Sequence, residues 1–199
     1  MGSKDRIQRL KENTRSNLLK AALKIVKQDG WHALSMRKIA DEIDYTAPAI
    51  YEYFNSKESL IAELSGKGYR MLSLKIRAAK NNQTDPILQL EEMWLAYWNF
   101  AFTEKELYQA MFGVEVNCSL LKDGFSKAEE IAILFMGVIR QLMKSGQATE
   151  DTVSTKYFTL WSVVHGLVSI NLVNKGKSDE INQNVLHEAI KGIIASITN

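Results

Sequence analysis

A single cysteine, Cys118, stands in the whole sequence, which excludes an internal disulfide and any cysteine-based zinc cluster. The three histidines, His32, His165 and His187, fall at no metal-ligand spacing, and none stands near Cys118. No G-x-S-x-G nucleophile elbow, phosphate-cradling P-loop or G-x-G-x-x-G dinucleotide fingerprint occurs. The expectation is therefore no catalytic residue, no metal and no cofactor. No apolar run approaches the roughly 18 residues a spanning helix needs. The opening MGSKDR lacks the apolar stretch of a signal peptide, and Arg6 stands where the myristoylation pattern requires Ser or Thr. A cytoplasmic setting is expected. Only two prolines occur, and no alternating strand-length run is bounded by turn dipeptides. Helix should extend nearly throughout.

What is present is ordinary in bulk, 46% hydrophobic and 24% charged, but uneven along the chain. Residues 1–80 carry 16 Lys+Arg against 9 Asp+Glu, a net +7, and residues 81–199 carry 9 against 14, a net −5. The two give the overall +2. A basic first part and an acidic remainder point to a polyanion met by the first part alone, the alternative being chance scatter.

Start and stop signals divide the chain. A first helix is predicted from about Asp5 to Gln28, with Leu18, Leu19, Ala22, Ile25 and Val26 on its buried face and Asp29-Gly30 as its stop. Short helices follow Ser35 and Thr46, with a turn at Asp44-Tyr45, and Ser56 opens a helix running towards Lys80. The polar stretch KNNQTDP, residues 80–86, is the expected joint. Asp85-Pro86 opens the next helix, Ser126 to Glu129 reads as a capping box, Thr149 or Thr152 opens a long apolar helix, and Ser178 opens the last. The fold class expected is all-α, about nine helices.

DYTAPAIYEYFNSKESL, residues 44–60, mixes aromatics with polar side chains too freely for a core or for a solvated surface. A helix-turn-helix over residues 35–54 accounts for it. Met36, Ile39, Ala40 and Ile43 supply an apolar seam, and Asp44 tolerates the left-handed turn. Thr46 caps the second helix, Pro48 is acceptable in its first turn, and Ile50 and Phe54 face the core. Thr46, Ala47, Ala49, Tyr51 and Tyr53 are then left facing outward. Small residues admit a helix to the major groove, and hydroxyls reach phosphates and base edges.

The run LKAALKIVKQDGWHALSMRKIADEIDYTAPAIYEYFNSKESLIAEL resembles the DNA-binding domain of TetR-family (tetracycline-repressor-like) transcriptional regulators. The likeness covers roughly residues 12–72 through S-x-R-x-I-A, T-x-P-x-I-Y-x-Y-F and S-K-E-x-L. LWSVVHGLVSI, with Trp161, His165 and Gly166, resembles a W-x-x-x-H-G motif of one C-terminal subgroup. The resemblance implies a three-helix DNA-binding domain at 1–80 and a helical effector-binding and dimerisation domain at 81–199. It implies phosphate contact at Ser35, DNA contact at Met36, and base reading at Arg37, Thr46, Ala47 and Ala49. It implies further phosphate contacts at Tyr51, Tyr53 and Lys57. Two residues depart from the family's pattern: Asp44 replaces the usual turn glycine, and Glu52 either points to solvent or accepts from a cytosine amino group. Tyr51 and Tyr53 could instead serve packing.

In the second part Met93, Trp94, Tyr97, Trp98 and Phe102 recur at helical intervals, followed by Tyr108, Met111, Phe112 and Phe135. With Trp161 and His165 these are the candidate lining of a site for an apolar or aromatic ligand, the alternative being ordinary core. Gly166, unfavourable in a helix, points to a close helix approach. The last two helices resemble the family's dimer interface. Taken together, the expectation is a ligand-responsive repressor, homodimeric on a palindromic DNA operator. The rivals are a helical small-molecule-binding protein without DNA function and a helical enzyme.

Overall fold

A computed structural model describes residues 2–113, 122–144, 146–174 and 178–198. Cys118 lies outside them, as does the side chain of Ser126. Among the described residues the chain is all-helical with no strand: α1 (Ser3–Asp29), a 3-10 turn (Trp31–Ala33), α2 (Met36–Glu42), α3 (Ala47–Tyr51), α4 (Lys57–Asn81), α5 (Pro86–Thr103), α6 (Lys105–Phe112), α7 (Lys122–Leu142), α8 (Glu150–Asn174) and α9 (Asp179–Thr198). No helix among them is long and apolar enough to cross a membrane.

Local chemistry sets most boundaries. Gly30, at φ 81°, ends α1 and returns its N–H to the Val26 carbonyl at 2.9 Å. The Ser35 hydroxyl caps α2 by accepting from the Lys38 N–H at 3.2 Å. Ser56 and Ser59 exchange reciprocal side-chain bonds with each other's N–H, both 3.2 Å, at the start of α4. Asp85 accepts from the Ile87 N–H at 2.9 Å with Pro86 opening α5. Thr149 accepts from the Thr152 N–H at 3.3 Å before α8, and Ser178 from the Ile181 N–H at 3.4 Å before α9. Two expected caps differ. Thr46 holds the N-cap position of α3, but its hydroxyl takes no cap bond. Residue 126 lies inside α7, which already begins at Lys122, so the S-x-x-E pattern there marks no boundary.

The chain divides into two compact units. The first comprises residues 1–68 and 106–121, the second residues 69–105 and 122–199. In the first, Leu18, Ala22, Ile25, Ile39, Ile50, Phe54, Leu60 and Leu64 form the core. Helix α6 belongs to it: the Trp31 indole N–H donates to Gln109 Oε1 at 3.0 Å. Gly68 lies so close to α6 that a Cβ there would stand 2.5 Å from the Met111 sulfur. In the second, α5, α7, α8 and α9 pack on one another around Leu90, Met93, Trp94, Phe135, Val138, Leu160 and Leu186.

The turn between α2 and α3 is a Schellman-type reversal. Asp44 sits at φ 57°, and the Tyr45 N–H reaches the Ala40 carbonyl at 2.9 Å. A side chain in this left-handed region is strained, and glycine removes the strain. Asp44→Gly should therefore stabilise the protein by about 0.5–1 kcal/mol, read as a raised denaturation midpoint at unchanged slope. A lowered midpoint would show that the aspartate contributes more than conformation.

Candidate functional site

The helix-turn-helix forms because its inner residues are apolar at the right spacing and its outer ones are not. Ile50 and Phe54 are fully buried, as are Ile39 and Ala40 of α2, and the two helices pack on each other. On the other side Thr46, Tyr51 and Glu52 are exposed, with Tyr51 at 50%, while Ala47, Ala49 and Tyr53 are half-buried. Ser35 and Arg37 are exposed at the start of α2 and Lys57 is half-buried at the start of α4. Of the nine residues singled out for this surface, Met36 alone turns its side chain into the core, at 7% exposure. The Arg37 guanidinium has no ion-pair partner among the described residues, whereas the Lys57 ammonium lies near enough to the Glu58 carboxylate to help hold it ionised. Lys38, in contrast, is held by Asp29. Beside Lys57, the Glu58 carboxyl is held below the usual carboxylate range, first by its own backbone N–H and then by the Ser56 hydroxyl.

A positioning residue escaped sequence reasoning. Arg15 of α1 grips the Glu63 carboxylate through two guanidinium nitrogens and donates to the Tyr53 carbonyl at 2.8 Å. Its guanidinium carbon lies 4.4 Å from the Phe54 ring centroid. One planar cation thus joins α1, α4 and the segment that follows α3, a task its fork geometry suits and a lysine's does not. Glu63 lies 48 positions away, so no local pattern could reveal it.

The candidate ligand residues are shared between the units. Tyr108, Met111 and Phe112 belong to the first, where the Tyr108 and Phe112 rings lie 4.6 Å apart. The others belong to the second. There Trp94 is central: its ring lies 4.2 Å from Phe135, 5.6 Å from Tyr97 and 6.3 Å from Tyr157. Met93 and Trp98 are also buried, but Phe102 at 40% is exposed at the end of α5, its ring 4.7 Å from Trp98. Trp161 stacks on His165 at 4.6 Å, one turn along α8, and His165 Nδ1 shares a hydrogen bond of 3.1 Å with the Tyr97 hydroxyl. Burial holds the His165 pKa below its usual value, so the ring is neutral at neutral pH. Burial, with Tyr69 nearby, pushes Tyr157 up to about 12. Tyr157 was missed by the sequence reading, although it stands one turn before Trp161 on the same helix. The Trp94 indole N–H has no hydrogen-bond partner among the described residues. Gly166 has no atom within 4 Å of an added Cβ, so the close helix approach expected there is not made by the described residues.

Residues 18–64 match the family model of bacterial regulatory proteins of the tetR family, and residues 90–190 match that of the tetracyclin repressor-like C-terminal domain. The HTH-type transcriptional repressor NicS of Pseudomonas putida is 23% identical over 137 residues, 69% of this chain and 65% of that protein. The chain therefore spans just under two thirds of that relative's length. A TetR/AcrR-family regulator from Thermobifida fusca superposes with a TM-score of 0.70 at 16% identity, over 90% of this chain and 98% of that one. Thermus thermophilus FadR, a repressor solved in complex with lauroyl-CoA, superposes at 0.62 and 16% identity, over 89% and 94%. At these identities the superpositions establish a shared fold. The second family model alone covers half of the 199 residues, and with the first covering the helix-turn-helix, the chain belongs to the TetR family of bacterial regulatory proteins.

Proposed function

We propose that the chain is a ligand-responsive transcriptional repressor, a cytoplasmic homodimer that binds a palindromic DNA operator and is released by a small apolar or aromatic effector. The observation that carries this reading is the two-sided helix α3 and the turn after it: Ile50 and Phe54 are anchored inside, while Thr46, Tyr51 and the small, half-buried Ala47 and Ala49 form the outer face. Such a face can enter a major groove, and the exposed Arg37 and half-buried Lys57 flank it in sequence with charge for bases and phosphates. Residues 1–80 would read DNA and residues 81–199 would bind effector and dimerise. Dimerisation is assigned to α8 and α9, whose Phe158, Ile170, Val173, Ile181 and Val185 are exposed apolar side chains. The aromatic cluster around Trp94 suits an apolar effector, and a fold neighbour solved with lauroyl-CoA supports ligand binding by this architecture. A coupling of about 1–3 kcal/mol between effector and operator would change operator affinity roughly 5- to 150-fold.

Two substitutions test the DNA face. Arg37→Ala should cost about 1–3 kcal/mol on the operator and relax preference at one base pair per half-site. Lys57→Ala should weaken all duplexes alike and make the salt dependence shallower. Titrations of operator and scrambled duplexes at several salt concentrations separate the two. A uniform loss for Arg37→Ala would move that residue to the phosphate backbone. Unchanged binding in both variants would favour a helical small-molecule-binding protein without DNA function.

A further inference from the structure

The second unit contains very little that could meet a charged ligand. Among its described residues the buried polar side chains are Ser73 and Asn182, with no buried lysine, arginine, aspartate or glutamate. Asn182 is paired with Asn171 at 2.7 and 3.1 Å, and Ser73 accepts from Arg77 at 3.4 Å. The groups facing the aromatic cluster are neutral as well. His165 is kept neutral by burial, and Tyr157 stays protonated through the physiological range.

Against this background one donor is conspicuous. Trp94 is fully buried between Tyr97, Phe135 and Tyr157, and its indole N–H is without a partner among the described residues. Nearly all buried donors are satisfied, because a dry, unpaired N–H forfeits its bonds to water. Phenylalanine would fill the same ring stack without an orphaned donor. The second unpaired buried atom of this unit, Gln89 Oε1, stands near the joint, where the same amide donates to the Gln83 carbonyl at 2.9 Å.

We infer that the Trp94 indole N–H is the hydrogen-bond donor for the effector, which is a neutral apolar or aromatic molecule carrying a carbonyl-type acceptor (ketone, ester, thioester or amide) rather than a carboxylate. The inference rests on the effector-binding reading of this unit and adds the chemistry of the ligand. A carboxylate placed here would be buried among neutral groups with no buried cation among the described residues to balance it, which is costly. A carbonyl oxygen needs only one donor, and the N–H is already fixed in direction by the rings around it. Ketone, ester, thioester and amide share that oxygen, so the probe needs only to isolate it.

The experiment titrates the full-length protein, its indole nitrogens labelled with nitrogen-15, with three probes of one shape: 2-acetylnaphthalene, 2-ethylnaphthalene and 2-naphthoate. Trp94→Phe identifies the Trp94 resonance by its disappearance. The ketone should bind about three- to tenfold tighter than the hydrocarbon and at least as far ahead of the anion, the range expected for one net neutral hydrogen bond. It should also move the Trp94 indole proton downfield, and the hydrocarbon should not. Trp94→Phe should lose the preference for the ketone over the hydrocarbon, whatever the smaller ring does to the affinity of both. Should that variant melt early, the resonance shift in the unsubstituted protein decides. Equal binding of ketone and hydrocarbon with the Trp94 resonance unmoved overturns the inference and leaves an effector site in place. Tightest binding by the naphthoate overturns it equally. Failure of all three probes to bind overturns the effector-site reading together with the inference.

Discussion

Aspartate in place of Ile170 should turn a dimer into a monomer that remains folded, and operator affinity should fall about 100- to 10,000-fold, the gain that linking two binding heads typically provides. Ile170 is 57% exposed on α8, on a helix that also exposes Phe158 and Val173, while neighbouring α9 exposes Ile181 and Val185. Exposed apolar side chains on two packed helices suit a surface that a second copy covers. Gly166 of α8 and Gly192 of α9 add a second sign. Neither has any atom of the described residues within 4 Å of an added Cβ, although each costs the helix about 1 kcal/mol against alanine. A helix of a second copy can come close where side chains are absent. An aspartate in that dry contact would be an unpaired buried charge in the dimer and a harmless surface charge in the monomer. Sedimentation mass, thermal melting and operator titration on the one variant read all three consequences. A dimeric mass with unchanged operator affinity would remove α8 from the interface.

Trp98→Glu should damage the second unit directly. Trp98 is 6% exposed and its ring packs 4.7 Å from that of Phe102. Losing a buried tryptophan ring costs about 3–5 kcal/mol, and an unpaired carboxylate adds to this. A loss of that size lowers the melting temperature of a chain this long by about 6–20 °C. Trp98→Phe keeps an apolar ring in place and separates core from ligand roles. With Trp98 lining the effector site, the phenylalanine variant should melt near the parent, bind operator normally and respond to effector at a changed concentration. A folded Trp98→Glu protein with normal operator binding and unaltered release by effector would refute the assignment.

Short-range chemistry explains which parts of this architecture could be read in advance. Ser35, Asp85, Thr149 and Ser178 cap helices because a cap needs only a side-chain oxygen two or three residues from an unpaired N–H. The left-handed Asp44 was legible for the same reason, the turn being confined to a few residues. Ser126 misled because a capping pattern permits a helix start without forbidding helix upstream, and α7 begins at Lys122. Thr46 occupies its predicted position without making the cap bond, so its hydroxyl remains for the outer face. Contacts between distant residues carry no local signature. The Arg15 to Glu63 clasp spans 48 positions and the Trp31 to Gln109 bond spans 78, and the second of these places α6 in the unit that holds the helix-turn-helix. Aromatic periodicity located the cluster in α5 but could not separate the buried Trp94 from the exposed Phe102, since spacing fixes a face and burial depends on what covers it.

The central claim is that two copies of α3 read two halves of one DNA site. Selection of bound duplexes from a random pool by the full-length protein, followed by the stoichiometry and salt dependence of the winning sequence, tests it most directly. The expected result is an inverted repeat bound by two copies, with half-site centres about one helical turn apart, roughly 34–36 Å, and affinity falling steeply with salt. A pool that yields no enriched sequence, or a winning site held by a single copy, would contradict it.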